Sequence, residues 1–287
     1  MKLANLALVS CMVVVGVVSV GCSSTSEGNG EGNVLGTNES LLIADNDEAT
    51  EADETAEEGI EAPLSGADPS DPGAPAEGTD DADLANKLKT NPGKWFKPAG
   101  CIVSSINGNV ATHNFTNCTG PYGFVDFTGT VTTTFVRGAG SLTITYEANG
   151  FKANGASMSG KRVVVFTKNG SVITKHRTGT WTGTTKKGKE LSHTADFTAT
   201  YDMATKCITR DGSAQTTVAA RELTRTVTGF KRCGLGSGGC PESGKLELTR
   251  TKGENTASLS IEFLGGRDYT VTGPKGRSAT LQLVCRE

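Results

Sequence analysis

From Phe127 onward, apolar residues recur with a period of two, and that period restricts the fold more than any other feature of the chain. Phe127, Val131 and Phe135 alternate with Thr128, Thr130, Thr132 and Thr134, and Leu142, Ile144 and Tyr146 alternate with Thr143 and Thr145. Ala195, Phe197, Ala199 and Tyr201 share one parity; so do Leu259, Ile261 and Phe263, and later Leu281, Leu283 and Cys285. Successive side chains of a strand point to opposite faces, so this is the pattern of half-buried antiparallel strands. Between the runs lie Asn107-Gly108, Asn149-Gly150, Asn154-Gly155, Asn169-Gly170 and Asp211-Gly212, pairs that supply the positive φ angles of tight hairpins. No stretch after residue 93 has helical 3.6 spacing. The prediction is an all-β domain: an antiparallel meander of about 12–15 strands forming a sandwich or barrel-like double sheet. An outer-membrane barrel also alternates. Here, however, the faces that would meet lipid carry mostly threonine and charge, without aromatic girdles.

Composition divides the chain sharply. Residues 23 to 92 hold 18 Asp and Glu against Lys87 and Lys89, a net charge of −16, and no aromatic residue. Such a stretch has too little apolar surface to offset the entropy of ordering it, and a disordered acidic tether is expected. Its end-to-end distance would be about 45–50 Å, with at most a short helical stretch between Ala82 and Leu88. From Gly93 on, 25 Lys and Arg face 13 acids, a net charge of +12, and all 16 aromatic residues are found here. The near-neutral total conceals two halves of opposite sign.

The N-terminus reads as an export signal: Lys2, then an apolar run from Leu3 to Gly21 broken only by Asn5 and Ser10. That run is almost long enough to serve as an uncleaved membrane anchor. Val18-Ser19-Val20-Gly21-Cys22 resembles the lipobox of bacterial lipoproteins, departing from it at Ser19, where a large aliphatic residue is usual. The resemblance implies a signal peptide over 1–21, removed before Cys22, and a lipid on Cys22. It also implies a position in the outer membrane, facing periplasm or cell surface, because Ser23 stands where Asp would retain the protein at the inner membrane. The expected organisation is then signal peptide 1–21, lipidated Cys22 plus tether 22–92, and a disulfide-stapled β-domain 93–287.

With Cys11 removed and Cys22 lipidated, six of the eight cysteines remain, a number suited to three disulfides in an oxidising compartment. A hairpin turning near Ala219 to Glu222 would set Cys207 opposite Cys233. A turn at Asp211-Gly212 competes with it, unless that pair is a bulge. Cys101 and Cys118 flank Asn107 to Val110, yet a strict two-residue turn at Asn107-Gly108 would miss their pairing by two residues per strand. Cys240 and Cys285 are left for each other, with Cys233–Cys240 as the rival. Zinc is the other use for such cysteines; without a CxxC pair, in an oxidising compartment, neither metal nor cofactor is expected.

Catalytic constellations are hard to find. His113, His176 and His193 are expected as surface or half-buried structural histidines. His193 and Asp196, three apart on a strand, face opposite sides and make no acid–base pair. GxSxG, HExxH, the P-loop and a strand-borne GxGxxG are all absent. The domain's carboxylates show no spacing that selects a glycosidase-like pair. Alternate threonines such as Thr143-Ile-Thr145 and Thr180-Trp-Thr182 resemble the TxT rows of ice-binding β-proteins, but irregularly; they read as the wet faces of strands.

Basic clusters are the remaining signal: Lys161-Arg162, Lys175-His176-Arg177, Lys186-Lys187-Gly188-Lys189 at an expected hairpin tip, and Lys231-Arg232. They are candidate binding residues for lipopolysaccharide, acidic polysaccharide or extracellular DNA, with an attraction that weakens in salt. They could equally serve solubility, or attract the acidic tether back onto the domain. Specific nucleic-acid recognition lacks a stacking-aromatic motif. The Cys101–Cys118 segment followed by TGPYGFVDFTGTV, with the later KCIT and KRC, is similar to threonine-rich, cysteine-stapled β-domains of myxobacterial lipoproteins, which implies a setting and no activity. The function expected is a lipid-anchored envelope lipoprotein whose β-domain is a non-catalytic binding or structural module. Two alternatives stand beside it: an envelope-directed hydrolase using strand-borne carboxylates, and a contact-delivered toxin or effector.

Overall fold

A computed structural model describes residues 81–82, 85–86, 96–119, 126–234 and 240–283; the expected signal segment, Cys22, most of the acidic stretch and Cys285 lie outside them. Thirteen strands follow one another: β1 (Ile102–Asn107), β2 (Val110–Thr119), β3 (Asp126–Gly138), β4 (Ser141–Ala153), β5 (Ala156–Asn169), β6 (Val172–Thr184), β7 (Glu190–Asp202), β8 (Cys207–Val218), β9 (Arg221–Arg232), β10 (Pro241–Lys252), β11 (Asn255–Phe263), β12 (Asp268–Thr272) and β13 (Ser278–Gln282). They form one antiparallel sheet in strict chain order, and β13 does not bond to β1. The fold is the all-β antiparallel meander that the period of two predicts.

From β2 to β11 one face is buried throughout, as in Val131, Thr133 and Phe135 of β3 or Leu191, His193, Ala195 and Phe197 of β7. No second sheet among the described residues covers this face, so curvature of the sheet itself encloses it. Four glycines supply kinks: Gly129 against the Phe151 ring, Gly160 against the Trp181 ring and Gly212 against the Phe197 ring, while Gly244 is pressed against the Phe230 backbone. A strand bends sharply where a side chain is missing, and at Gly129, Gly160 and Gly212 a ring fills the space the glycine leaves. The apolar interior divides into two clusters. One, under β2–β6, holds Phe96, Phe115, Phe127 and Phe151, with ring centroids 5.4–6.2 Å apart. The other, under β7–β12, holds Phe197, Val227, Phe230, Leu246, Ile261 and Phe263. On the opposite, wetter face, threonines pair across strands, Thr134 with Thr145, Thr174 with Thr200 and Thr224 with Thr249.

Three of the five Gly-containing pairs lie at hairpin turns. Asn149-Gly150 and Asp211-Gly212 are instead bulges, seen as register shifts between Ala148 and Phe151 and between Arg210 and Gly212. A turn at Asn149-Gly150 would leave only three residues before the turn at Asn154-Gly155, too few for a strand; the second turn prevails and the first bends β4. With Asp211-Gly212 as a bulge, β8 and β9 turn at Ala219-Ala220, where Ala219 has φ 54°. Cys207 and Cys233 then meet and are bonded. Cys101 and Cys118 are also bonded. The turn is at Gly108-Asn109, with Asn107 opposite Val110, which removes half of the expected mismatch, and Cys118 follows Asn117, at φ 49°, in the register shift after Phe115. Cys240 is disulfide-bonded too. Since Cys233 belongs to Cys207, the rival Cys233–Cys240 bridge is ruled out.

Among the described residues of the acidic stretch, Asp81 and Ala85 meet the sheet. Residues 81–82 and 85–86 are helical. Asp81 accepts a hydrogen bond from the Arg137 amide at 3.1 Å and lies 3.6 Å from its Nε. Ala85 is wholly buried in the β2–β6 cluster. Spacing of four places both residues on one side of a helix, which faces the sheet.

Candidate functional site

Strand parity decides where each basic residue lies. Adjacent residues of a strand face opposite sides, so Lys161-Arg162 and Lys231-Arg232 are not clusters on one surface. Lys161 is outside, 3.3 Å from Glu147, and Lys231 is outside, 2.8 Å from Glu242. Arg162 is turned inward and buried, its guanidinium 5.5 Å from the centre of the Trp181 ring. Arg232 shares the inner parity, opposite Ile208. Lys175 and Arg177 do lie together on the inner face, Lys175 5.8 Å from the Phe166 ring and Arg177 5.3 Å from the Phe197 ring. Lys186, Lys187 and Lys189 occupy the β6–β7 turn, closed by the Thr185 amide donating to the Lys189 carbonyl; the expected hairpin tip is correct.

The inner face carries more arginine than the dibasic pairs reveal. Arg210 of β8 and Arg225 of β9 join Arg177 around the buried Phe197 ring, at 4.5 and 5.4 Å from its centre. Arg221 stands opposite the buried Val218, and Arg250 opposite the buried Leu223. Arg137, opposite Leu142, completes the set. All eight arginines in strands therefore share the inner face. The strand carboxylates have the other parity, including Glu147, Asp196, Glu222, Glu247 and Glu262, each register-paired with outward-facing residues. Arginine suits the inner position because its planar, weakly hydrated guanidinium stacks on rings, whereas lysine keeps its ammonium in water. The sequence signal that finds this face is parity relative to the apolar residues: Arg221, Leu223, Arg225 and Val227 are one row.

Of the histidines, His176 is at the surface, its Nε2 2.8 Å from Asp196 on the neighbouring strand. His193 is buried, with Nδ1 2.8 Å from the Thr216 hydroxyl. His113 is wholly buried, not at the surface, and its Nδ1 lies 2.8 Å from the Ser104 hydroxyl directly across the β1–β2 ladder. Burial holds its pKa down at about 4, against 6.5 for the free side chain. Between those values the unfolded chain takes up a proton that the native one refuses, so stability is full above about pH 6.5 and falls toward pH 4. His113→Leu is expected to remove about 2–3 kcal/mol of the stability difference between pH 7 and pH 4, measured by urea unfolding at each pH. An unchanged difference would place the acid sensitivity in other groups.

Cys207, Cys233 and Glu242 form the one grouping of potential metal ligands among the described residues. Its two sulfurs are already bonded to each other and hold no electrons as thiolates for a metal. No family model, no curated protein and no solved structure matches this chain.

Proposed function

We propose that this protein is a lipid-anchored cell-envelope lipoprotein whose β-domain is a non-catalytic module for polyanionic envelope components such as lipopolysaccharide or acidic polysaccharide. The observation that carries the reading is the segregation of charge: every strand arginine is on the inner face and the strand carboxylates are on the other. A surface evolved for solubility alone mixes the two signs. Arg210 and Arg225, the half-buried arginines at the Phe197 ring, carry the planar fork that binds phosphate, sulfate or carboxylate in two places at once. The exposed Lys186-Lys187 tip adds a second point of attraction. The lipobox resemblance at Cys22, followed by Ser23, supports anchorage in the outer membrane.

Binding of the full chain to lipopolysaccharide and to a neutral glucan across a salt series tests this. Binding confined to the anionic ligand is expected, falling about tenfold or more between 50 and 200 mM salt, and weakened when Arg210 and Arg225 are both changed to Gln. Equal affinity for the neutral glucan, or salt-independent binding, would discard the reading. Metabolic labelling with a fatty acid tests the anchor, since Cys22→Ser should abolish the label.

A further inference from the structure

We propose that β1 is a self-association edge, through which two copies of this chain pair antiparallel about a two-fold axis at Ser104. Three observations carry the inference. First, among the described residues β1 bonds only to β2, and its other edge has no strand beside it. Register shows which groups that edge presents. The Cys101 carbonyl accepts from the Thr116 amide and the Asn109 carbonyl from the Phe135 amide, so the odd residues of β1 bond to the even residues of β2. The amides and carbonyls of Ile102, Ser104 and Ile106 therefore point away from the sheet. Second, the edge lacks the devices that keep sheets from joining. Ile102–Asn107 holds no Lys, Arg, Asp, Glu or Pro, and its ladder with β2 has no bulge. Val103, on the outer face, is 62% exposed, and Ile102 and Ile106, on the inner face, are only half-buried against the β2–β6 cluster.

Third, the segment complements itself. Ile102-Val103-Ser104-Ser105-Ile106 reads nearly the same in both directions. With Ser104 opposite its own copy, each Ile102 meets Ile106 of the second copy, and each Val103 meets Ser105. Ile102, Ser104 and Ile106 then exchange about six backbone hydrogen bonds with their counterparts. The isoleucines cover one another and carry the apolar cluster across the junction. A two-fold pairing brings like residues together, so a charged strand would repel itself; this one carries no charge. The opposite edge of the sheet fits less well. There the edge-facing residues of β13 are Ser278, Thr280 and Gln282, all polar and exposed, with no apolar surface to cover. Because the two-fold axis stands perpendicular to the sheet, the inner faces of both copies open to the same side.

Sedimentation velocity of the full chain in density-matched detergent tests this. A dimer is expected as the concentration is raised, with no polyanion added and no loss in 1 M NaCl, because backbone hydrogen bonds and apolar side chains make the contact. Val103→Lys places a charge on the edge, and Ile106→Pro removes an amide that β2 does not use. Each should weaken dimerisation about tenfold or more while the far-UV circular dichroism stays that of the folded sheet. If Ile106→Pro fails to fold, Val103→Lys decides alone. A monomer at every concentration overturns the proposal, as does a dimer that salt dissolves or that the folded variants leave intact. A benzophenone side chain introduced at Val103 locates the contact. Irradiation should give a covalent dimer whose joined peptides both come from β1. Joining to β13, or to residues 23–80, would show another occupant on this edge and would equally overturn it.

Discussion

Gly212→Ala is expected to destabilise the domain by about 4 kcal/mol or more, a fall in melting temperature of about 8–16 °C for a domain of this size. Gly212 has φ +140°, a conformation that side chains rarely adopt, and it sits at the bulge of β8. A methyl group there would come within 2.6 Å of the Phe197 Cα and 2.7 Å of its ring, and would press on the Asp196 carbonyl as well. Most of what it meets is backbone, which cannot swing aside as the end of a flexible side chain can. The Phe197 ring is also the platform on which Arg177, Arg210 and Arg225 converge. The same substitution should therefore weaken binding to lipopolysaccharide at temperatures where the protein is still folded. Thermal unfolding followed by far-UV circular dichroism measures the first effect. A shift under 2 °C would show that β8 can relax around the added methyl group, and that the glycine is not what bends it.

Removing the Cys207–Cys233 bridge by changing both residues to Ser is expected to cost about 3–4 kcal/mol, since the bond closes a loop of 26 residues in the unfolded chain. The bridge ties the open ends of β8 and β9, far from the turn at Ala219-Ala220, so in its absence that end frays first. Urea unfolding of the double variant gives the magnitude, and amide exchange along β8 shows the location. Equal protection at Ile208 and Val218 after the substitution would contradict this account of the fraying. Replacing only one of the pair leaves a thiol free to exchange with other bridges, so the double variant is the interpretable one.

The strands were the most legible part of the chain because burial imposes a period that survives in every segment, from Phe127-Val131-Phe135 to Leu259-Ile261-Phe263. The Cys207–Cys233 pairing could also be read from the symmetry of its segment about Ala220, once Gly212 is granted a bulge. Turn pairs were less reliable. Asn-Gly favours positive φ wherever it lies, and whether that angle reverses the chain or only bends it depends on the room left for strands on either side, as Asn149-Gly150 shows. The inner arginine face was hidden for another reason. Lys161-Arg162 and Lys231-Arg232 look like clusters along the sequence, but adjacency in a strand separates side chains instead of joining them. The arginines that do meet, Arg177, Arg210 and Arg225, come from β6, β8 and β9 and converge on a phenylalanine of β7. Cross-strand register brings them together, and no local spacing records it. The contact of Asp81 and Ala85 was likewise outside the reach of composition, which sees the charge of the segment but not the arginine waiting at the end of β3.

The strict chain order of the strands has a kinetic consequence. Each strand bonds only to its neighbours in sequence, and register partners lie no further apart than Arg221 and Lys252, a separation of 31 residues. Contacts so local close small loops, and chains built from them need no late joining of distant segments. The sheet can be laid down one hairpin at a time from its N-terminal edge, each new strand templated by the one before. A polypeptide that emerges end-first through a narrow pore can therefore begin to fold long before its last residue is through.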